Sequence, residues 1–447
     1  MDSTLLLAIG IGIIVLLFLI LRLKVQAFLA LLIASIVVGV IAGMEPYSIV
    51  ETIQKGMGGT LGFVAVVVGL GAMFGAILEH SGGAEAIASF LLNRFKEKGT
   101  SWALMITGFL IAIPVFFDVA FIILVPMIYS IQRKSGKSLL LYAIPLLAGL
   151  AITHSFIPPT PGPVAVADIL KADLGWVIVF GFIVGIPTAI VSGPLFAKYI
   201  SKRIHIDAPA ILSNIQAEDR KRPSVAMILA IIGLPILLIV CNTVLNSPMA
   251  DHWASDTVKA WLKMIGHPFV ALILANLIAW YLLGVRRGTS RKVLQTITSK
   301  SLGPAGIIIL LTGAGGVFKQ MLIETGAGVM LANYFAELGL GIFVVAFLIT
   351  ALVRILQGSA TVAMITGAGV VAALLEATPL SSTDTALLVI AIASGASILS
   401  HVNDSGFWLV SKYLGMDEKQ TFRSWTVMTT ILSLVGISTV GILSLIV

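Results

Sequence analysis

A carboxylate stands in the middle of an apolar run in the segment Ile113–Val119, close to a proline that interrupts a helix. If this run lies in hydrocarbon, placing Asp118 at the bilayer centre costs roughly 2.5–3.5 kcal/mol. Intramembrane carboxylates usually face a bundle interior, where they bind protons or substrates. We therefore predict a proton-coupling role for Asp118. A structural ion pair with a buried cation is the alternative.

Four prolines within six residues follow a polar triplet in the segment Thr153–Pro163. Proline removes a backbone donor and clashes with the preceding turn, so a helix cannot continue through this segment. The backbone groups left unpaired can bind a ligand, an ion or water. A structural loop at the outer surface is the rival interpretation, but the apolar run before the prolines is too short to have crossed the bilayer. The residues predicted to bind substrate here are Thr153, His154, Ser155, Thr160 and Gly162.

Two polar motifs in the second half of the chain occupy comparable positions. The segment Arg354–Thr361 combines a guanidinium, hydroxyl groups and a glycine at which the backbone can turn. The guanidinium suits a substrate carboxylate and equally a buried acid such as Asp118 or Asp404, and the sequence leaves both open. The segment Ser400–Gly406 offers His, Asn and Asp side chains for hydroxyls, cations or protons. The predicted substrate-binding residues are Arg354, Gly358, Ser359, Thr361, His401, Asn403 and Ser405, with Asp404 as a second proton-coupling residue.

Composition places these motifs in a membrane. Of 447 residues, 58% are hydrophobic and 11% are charged, whereas soluble domains carry about 25% charged residues. The net charge of +7 does not indicate nucleic-acid binding, because the basic residues form short clusters between apolar runs. The single cysteine excludes an internal disulfide. The glycine-rich stretch before Lys319 lacks the ending of a P-loop, so we predict no ATPase activity. We also predict no cofactor and no metal.

The apolar runs predict an all-α polytopic membrane protein with ten spans. The predicted spans are 4–21, 25–43, 61–78, 139–170, 174–197, 224–246, 267–285, 304–322, 385–411 and 424–447. The runs 102–131 and 339–376 are interrupted near the middle and predict re-entrant helical hairpins. This layout puts most basic clusters on one side, which predicts that side as cytoplasmic and both termini outside. The first run has no basic segment before it and predicts a retained span.

The two halves of the chain resemble each other. The segment Gly69–Phe74 matches Gly313–Phe318 at a spacing of 244 residues, and an amphipathic stretch follows each match, at Ala84–Phe95 and Ala327–Glu337. The matched spans run in opposite directions in the layout, which predicts inverted-topology repeats with the substrate at their interface. The predicted organisation is a two-span scaffold segment 1–60, a first repeat 61–200, a cytoplasmic linker 201–223, scaffold spans 224–303 and a second repeat 304–447.

At its polar motifs the chain resembles the gluconate permease (gluconate:proton symporter) family of the ion transporter superfamily. The matching segments are Gly58–Gly62 (GGTLG), Pro158–Pro163 (PPTPGP), Gly358–Ala363 (GSATVA) and Ser400–Phe407 (SHVNDSGF). The resemblance implies proton-coupled uptake of gluconate or a related sugar acid across a bacterial cytoplasmic membrane. It also implies a homodimer with a scaffold and a moving transport part.

The chain departs from this family pattern at Thr160. The family's loop commonly reads PPHPGP, so a histidine would stand at this position. The change leaves open another small hydroxy acid or an amino acid such as D-serine as the substrate. Sodium also remains open as the coupling ion, because unwound carbonyls with hydroxyl and amide groups suit sodium as well as protons.

Two other classes of protein are weighed against a transporter. An intramembrane hydrolase needs one nucleophile and one base, whereas this chain repeats its broken elements in both halves. A channel would show neither saturation nor coupling to a second solute. The sequence therefore predicts a secondary transporter that is not an enzyme.

Overall fold

The computed structural model describes residues 3–95, 99–209, 223–246, 256–326, 330, 340–375 and 379–446. These residues are almost entirely helical, and no strand occurs among them. The predicted all-α class is therefore confirmed. Part of the predicted linker 201–223 and nearly all of the amphipathic stretch Ala327–Glu337 lie outside the described residues.

The helices of the first half are α1 Ser3–Leu21, α2 Ala27–Ile41, α3 Pro46–His80, α4 Gly83–Phe95, α5 Thr100–Ile111, α6 Phe117–Ser135, α7 Leu140–Phe156, α8 Pro161–Leu170, α9 Leu174–Ile190 and α10 Phe196–Ile200. The helices of the second half are α11 Val225–Asn246, α12 Asp256–Gly266, α13 Pro268–Ala279, α14 Arg291–Glu324, α15 Ile342–Gln357, α16 Ala360–Leu375, α17 Ser382–Ala396, α18 Ser405–Leu414, α19 Glu418–Thr421 and α20 Val427–Leu443. A π-helical turn joins α9 to α10 at Val191–Leu195, and another joins α19 to α20 at Phe422–Thr426.

Several helical segments are long and apolar enough to cross a bilayer, and the chain is a multi-pass membrane protein. Seven segments in the described part of the chain meet this criterion: Pro46–His80, Leu140–Leu170, Leu174–Ile200, Val225–Leu245, Pro268–Arg287, Arg291–Glu324 and Glu418–Leu443. The first two predicted spans and the broken span at 385–411 consist of shorter apolar helices. The count of ten spans stays a prediction.

Helices end at all four of the predicted interruptions. The breaks fall at residues 112–116, 157–160, 358–359 and 397–404. The local cause differs: consecutive prolines stop α7, whereas Gly358 adopts a left-handed φ of +90° that ends α15. Two halves of each interrupted element therefore meet at a short non-helical segment inside the bundle.

The two glycine-rich helices α3 and α14 lie antiparallel to each other. Gly56 packs against the backbone of Val317. A Cβ atom added at Gly56 would lie 2.6 Å from the Cα atom of Val317. At one end Lys55 Nζ contacts Glu324 Oε1 at 2.7 Å, and farther along Gly69 faces Leu302. The backbones approach closely because glycine presents no side chain. This orientation is what opposite topology of the matched segments requires.

Both of these helices are longer than the spans predicted at 61–78 and 304–322. Glu45 caps α3 by accepting a hydrogen bond from the Ser48 amide at 3.0 Å. Ser290 caps α14 by accepting one from the Val293 amide at 3.3 Å. The helices therefore extend beyond the predicted spans, because the capped ends and the α3–α14 contact stabilise the additional turns.

A close approach between helices occurs in both halves. In the first half, a Cβ atom at Gly149 of α7 would lie 2.2 Å from the Met105 carbonyl oxygen of α5. In the second half, a Cβ atom at Gly395 of α17 would lie 2.6 Å from the Phe347 carbonyl oxygen of α15. Each interrupted helix thus packs through a glycine on the first arm of the hairpin that precedes it.

Candidate functional site

Residues in or directly beside all four interruptions line one cavity of about 650 Å³. Ten of the predicted site residues line it: Asp118, His154, Ser155, Arg354, Gly358, Ser359, Thr361, Asn403, Asp404 and Ser405. Residues that are far apart in the sequence converge here because the packing of the helices brings the ends of the interrupted helices together. The size suits a small molecule, since ligand pockets commonly measure about 300–1,000 Å³.

Four further predicted residues do not contribute to the described cavity lining. Thr153 donates a hydrogen bond to the Phe109 carbonyl at 2.9 Å, and Thr160 donates one to the Ile157 carbonyl at 2.6 Å. A Cβ atom at Gly162 would lie 2.8 Å from the Met364 sulfur. His401 contacts the Ile355 carbonyl through Nε2 at 2.8 Å. These four residues hold the broken segments in place in this structure.

A buried ion pair joins two of the breaks. Arg354 Nη2 lies 2.5 Å from Asp404 Oδ2, and the two side chains are only 4% and 13% exposed. Arg354 is in the last turn of α15, and Asp404 is the N-cap of α18. Both charges therefore lie at the helix end that favours their sign. The sequence left the partner of Arg354 open, and the structure shows Asp404.

The carboxylate of Asp404 has further hydrogen-bond donors. Its Oδ1 atom accepts from the Gly406 amide at 3.0 Å, and its Oδ2 atom accepts from the Ser400 hydroxyl. Trp425 Nε1 donates in turn to Ser400 Oγ at 2.6 Å. Each of these groups donates towards Asp404 or its partner serine, so both carboxylate oxygens of Asp404 accept hydrogen bonds.

The segment 400–404 also caps the end of α15. Asn403 Nδ2 donates to the carbonyls of Ile355 and Leu356 at 3.0 and 3.1 Å. These carbonyls lie in the last turn of the helix, where intrahelical partners are missing. Gly358 is required beside them, because a Cβ atom there would lie 2.3 Å from the Asn403 carbonyl oxygen. The hairpin tip at 358–359 and the fourth break at 397–404 are therefore held together as one unit.

Several polar atoms at the cavity wall have no protein partner in the described part of the chain. Arg354 Nε and Nη1, Gln357 Oε1 and His154 Nδ1 are buried without a hydrogen bond. Asp118, in the first turn of α6, is exposed to the cavity and makes no hydrogen bond among the described residues. Buried polar groups are normally paired, so this wall offers unused donors and acceptors to a ligand.

The remaining wall of the cavity is aromatic and aliphatic. It includes Phe116, Phe117, Trp425 and Leu432, and Phe117 packs on Trp425 with ring centroids 5.7 Å apart. The cavity thus combines a polar side that carries charge with an apolar side. A ligand that carries both polar and apolar groups fits such a surface.

Gln357, Trp425 and Thr429 line the cavity although they are not among the site residues predicted from the sequence. Gln357 follows Arg354 by three residues, so helical spacing places both on one face and gave a usable signal. Trp425 and Thr429 lie at and just after a π-helical turn beyond the fourth break, and no local pattern connects them to it. Within the described ranges no group of three His, Cys, Asp or Glu residues is placed to hold a metal ion.

Comparison with known proteins gives consistent matches over the whole length. The family model described as GntP family permease matches residues 4–446. The chain is 42% identical to the gluconate permease of Pseudomonas aeruginosa, covering 95% of this chain and 94% of that protein. It is 40% identical to the low-affinity gluconate transporter of Escherichia coli, covering 93% of each.

A solved structure shares the fold. The YdaH transporter of Alcanivorax borkumensis superposes with a TM-score of 0.63, covering 93% of this chain and 96% of that one. The two sequences are 13% identical, so the likeness concerns the fold alone.

Proposed function

The chain belongs to the GntP permease family, as its motifs predicted, and from that membership we propose that it imports gluconate or a related sugar acid by proton symport. Relatives named as gluconate permease and gluconate transporter align over nearly its whole length. The substrate would bind in the cavity between the four interruptions. We also propose that the inverted repeats at 61–200 and 304–447 form this site.

The observation that carries this proposal is the buried guanidinium at the cavity wall. Arg354 contacts Asp404 through Nη2, while its Nε and Nη1 atoms have no hydrogen-bond partner in the described part of the chain. A carboxylate is the ligand that such a fork binds best. Hydroxyl groups from Ser155, Ser359 and Thr361 line the same cavity, and they suit the hydroxyl groups of a sugar acid.

The charges around the cavity support proton coupling. By formal charge, the cavity lining contains two carboxylates, Asp118 and Asp404, and one guanidinium, Arg354. A sugar-acid anion would therefore add to a site that is already negative by one unit, and one accompanying proton would restore the balance. Asp404 accepts hydrogen bonds from Arg354, from the Ser400 hydroxyl and from the Gly406 amide. We propose that Asp118, which lacks such partners, takes the proton.

The membrane context of this proposal follows the same family assignment. We propose residence in a bacterial inner membrane with both termini outside, and a homodimer as the functional unit. The partners are then the sugar acid, protons and the lipid bilayer, with no nucleic acid.

Uptake of labelled D-gluconate into proteoliposomes tests the proposal. The purified chain is assayed with and without an inward proton gradient, in sodium-free buffer. Accumulation that collapses with a protonophore is the expected result. Accumulation that requires added sodium would show that sodium, and not the proton, is the coupling ion. An absence of uptake by folded protein would exclude gluconate and direct competition assays to other hydroxy acids and D-serine.

A further inference from the structure

Gln357 and Arg354 present unused hydrogen-bonding atoms from one turn of α15. Both residues line the cavity. Residues three apart on a helix lie on the same face, about one turn from each other. Gln357 Oε1 is buried and has no hydrogen-bond partner in the described part of the chain, and the same is true of Arg354 Nε and Nη1. With Gln357 Oε1 turned to the cavity as in this structure, a ligand that satisfies both residues needs an acceptor for the guanidinium and a nearby donor for the amide oxygen.

The chemistry of the two side chains defines these groups. The guanidinium only donates hydrogen bonds, so it binds an anion, whereas the amide of Gln357 both donates and accepts. A hydroxyl group also donates and accepts. It therefore pairs with the amide in either orientation, whichever atom the amide turns towards the cavity.

We propose that Gln357 is a specificity-determining residue that binds a hydroxyl close to the carboxylate of the substrate. The inference rests on the proposed function and narrows it to acids that bear a hydroxyl near the carboxylate end. Buried polar atoms discriminate strongly because an analogue without the matching hydroxyl leaves them unpaired. Hydroxyl groups at the end of the substrate far from its carboxylate would not reach this turn of α15.

The alternative is that Gln357 only shapes the turn at the hairpin tip. Gly358 follows it, and the carbonyls of Ile355 and Leu356 are already bound by Asn403. The side chain of Gln357 takes no part in those described contacts, and its oxygen has no partner among the described residues. A structural role would affect all ligands alike, so the two readings separate in a binding experiment.

The experiment measures inhibition of labelled D-gluconate uptake by unlabelled gluconate and by its 2-deoxy, 3-deoxy and 6-deoxy analogues. The wild-type chain is compared with Gln357→Leu. If this variant folds poorly, Gln357→Met replaces it, because methionine keeps the length of the side chain. Gln320→Leu is the matched control, because Gln320 contacts Glu324 near the end of α14, away from the cavity lining.

We expect the wild type and Gln320→Leu to bind gluconate about tenfold more tightly than the 2-deoxy or the 3-deoxy analogue. The Gln357 variants should bind gluconate and the analogue that the wild type discriminates against, whether 2-deoxy or 3-deoxy, equally tightly. Removing the hydroxyl at position 6 should change binding to these variants as much as it changes binding to the wild type. Equal weakening of every ligand would overturn the inference, as would a wild type that does not discriminate near the carboxylate. If the folded wild type fails to bind gluconate at all, the proposed function is overturned as well.

Discussion

Replacing Asp404 with asparagine tests the ion pair at the centre of the cavity. Asparagine keeps the shape of the side chain and removes the negative charge. One orientation of its amide places a donor against Arg354 Nη2, and the other loses the acceptor for the Gly406 amide. The variant therefore loses a hydrogen bond as well as the compensation of the buried charge on Arg354.

The expected cost follows from the burial of the pair. Arg354 is 4% exposed and Asp404 is 13% exposed. Removing one partner of a buried ion pair lowers the free energy of unfolding by about 3–5 kcal/mol, because the remaining charge stays buried and unpaired. A carboxylate ligand supplies the missing charge, so gluconate should bind the variant more tightly than the wild type. A tenfold lower Kd would add about 1.4 kcal/mol of ligand stabilisation at a fixed high concentration.

The assay is unfolding of the purified chain by SDS in mixed micelles, followed by helical circular dichroism with and without gluconate. The control is Glu324→Gln, which breaks the pair between Lys55 and Glu324, whose side chains are 66% and 38% exposed. Exposed pairs contribute about 0–1 kcal/mol, so this variant should unfold close to the wild type.

Two results would refute the reasoning. A free energy of unfolding for Asp404→Asn that equals that of Glu324→Gln would show that the buried pair does not stabilise the bundle. If gluconate raises the free energy of unfolding of the wild type and of Asp404→Asn equally, the ligand carboxylate does not interact with Arg354.

Three further substitutions probe the site. Asp118→Asn should abolish uphill accumulation of gluconate in proteoliposomes while exchange of substrate continues, and normal accumulation would remove Asp118 from the coupling role. Arg354→Ala should weaken binding of carboxylates about tenfold to a hundredfold more than binding of uncharged polyols, since hydrogen bonds to charged groups contribute about 1.5–3 kcal/mol; equal losses in a competition assay would make the arginine structural. Gly358→Ala places a Cβ atom 2.3 Å from the Asn403 carbonyl oxygen, at a residue whose φ is +90°. The free energy of unfolding in SDS should therefore fall by more than the about 1–3 kcal/mol that such a backbone conformation alone costs. Gly341→Ala, where nothing lies within 4 Å, is its control, and equal stability of the two glycine variants would contradict the argument.

The sequence predicted the membrane class and the positions of the breaks because both depend on local properties. Apolar length sets whether a helix can cross hydrocarbon. Proline and glycine act on the backbone of their own turn. Pro158, Pro159 and Gly358 therefore end their helices independently of the tertiary contacts around them. The lengths of α3 and α14 were underestimated, because capping by Glu45 and Ser290 and the contact between these helices extend them beyond the predicted spans 61–78 and 304–322.

The tertiary structure alone decided how the polar residues pair. Asp404 faces Arg354, whereas Asp118 is left without a hydrogen bond among the described residues, although both carboxylates were equal candidates by sequence. His401 turns to the end of α15, and Trp425 reaches Ser400 from beyond the fourth break. A single sequence records which groups can form a hydrogen bond. The choice among partners depends on the packing that brings distant segments together, and no local pattern carries that information.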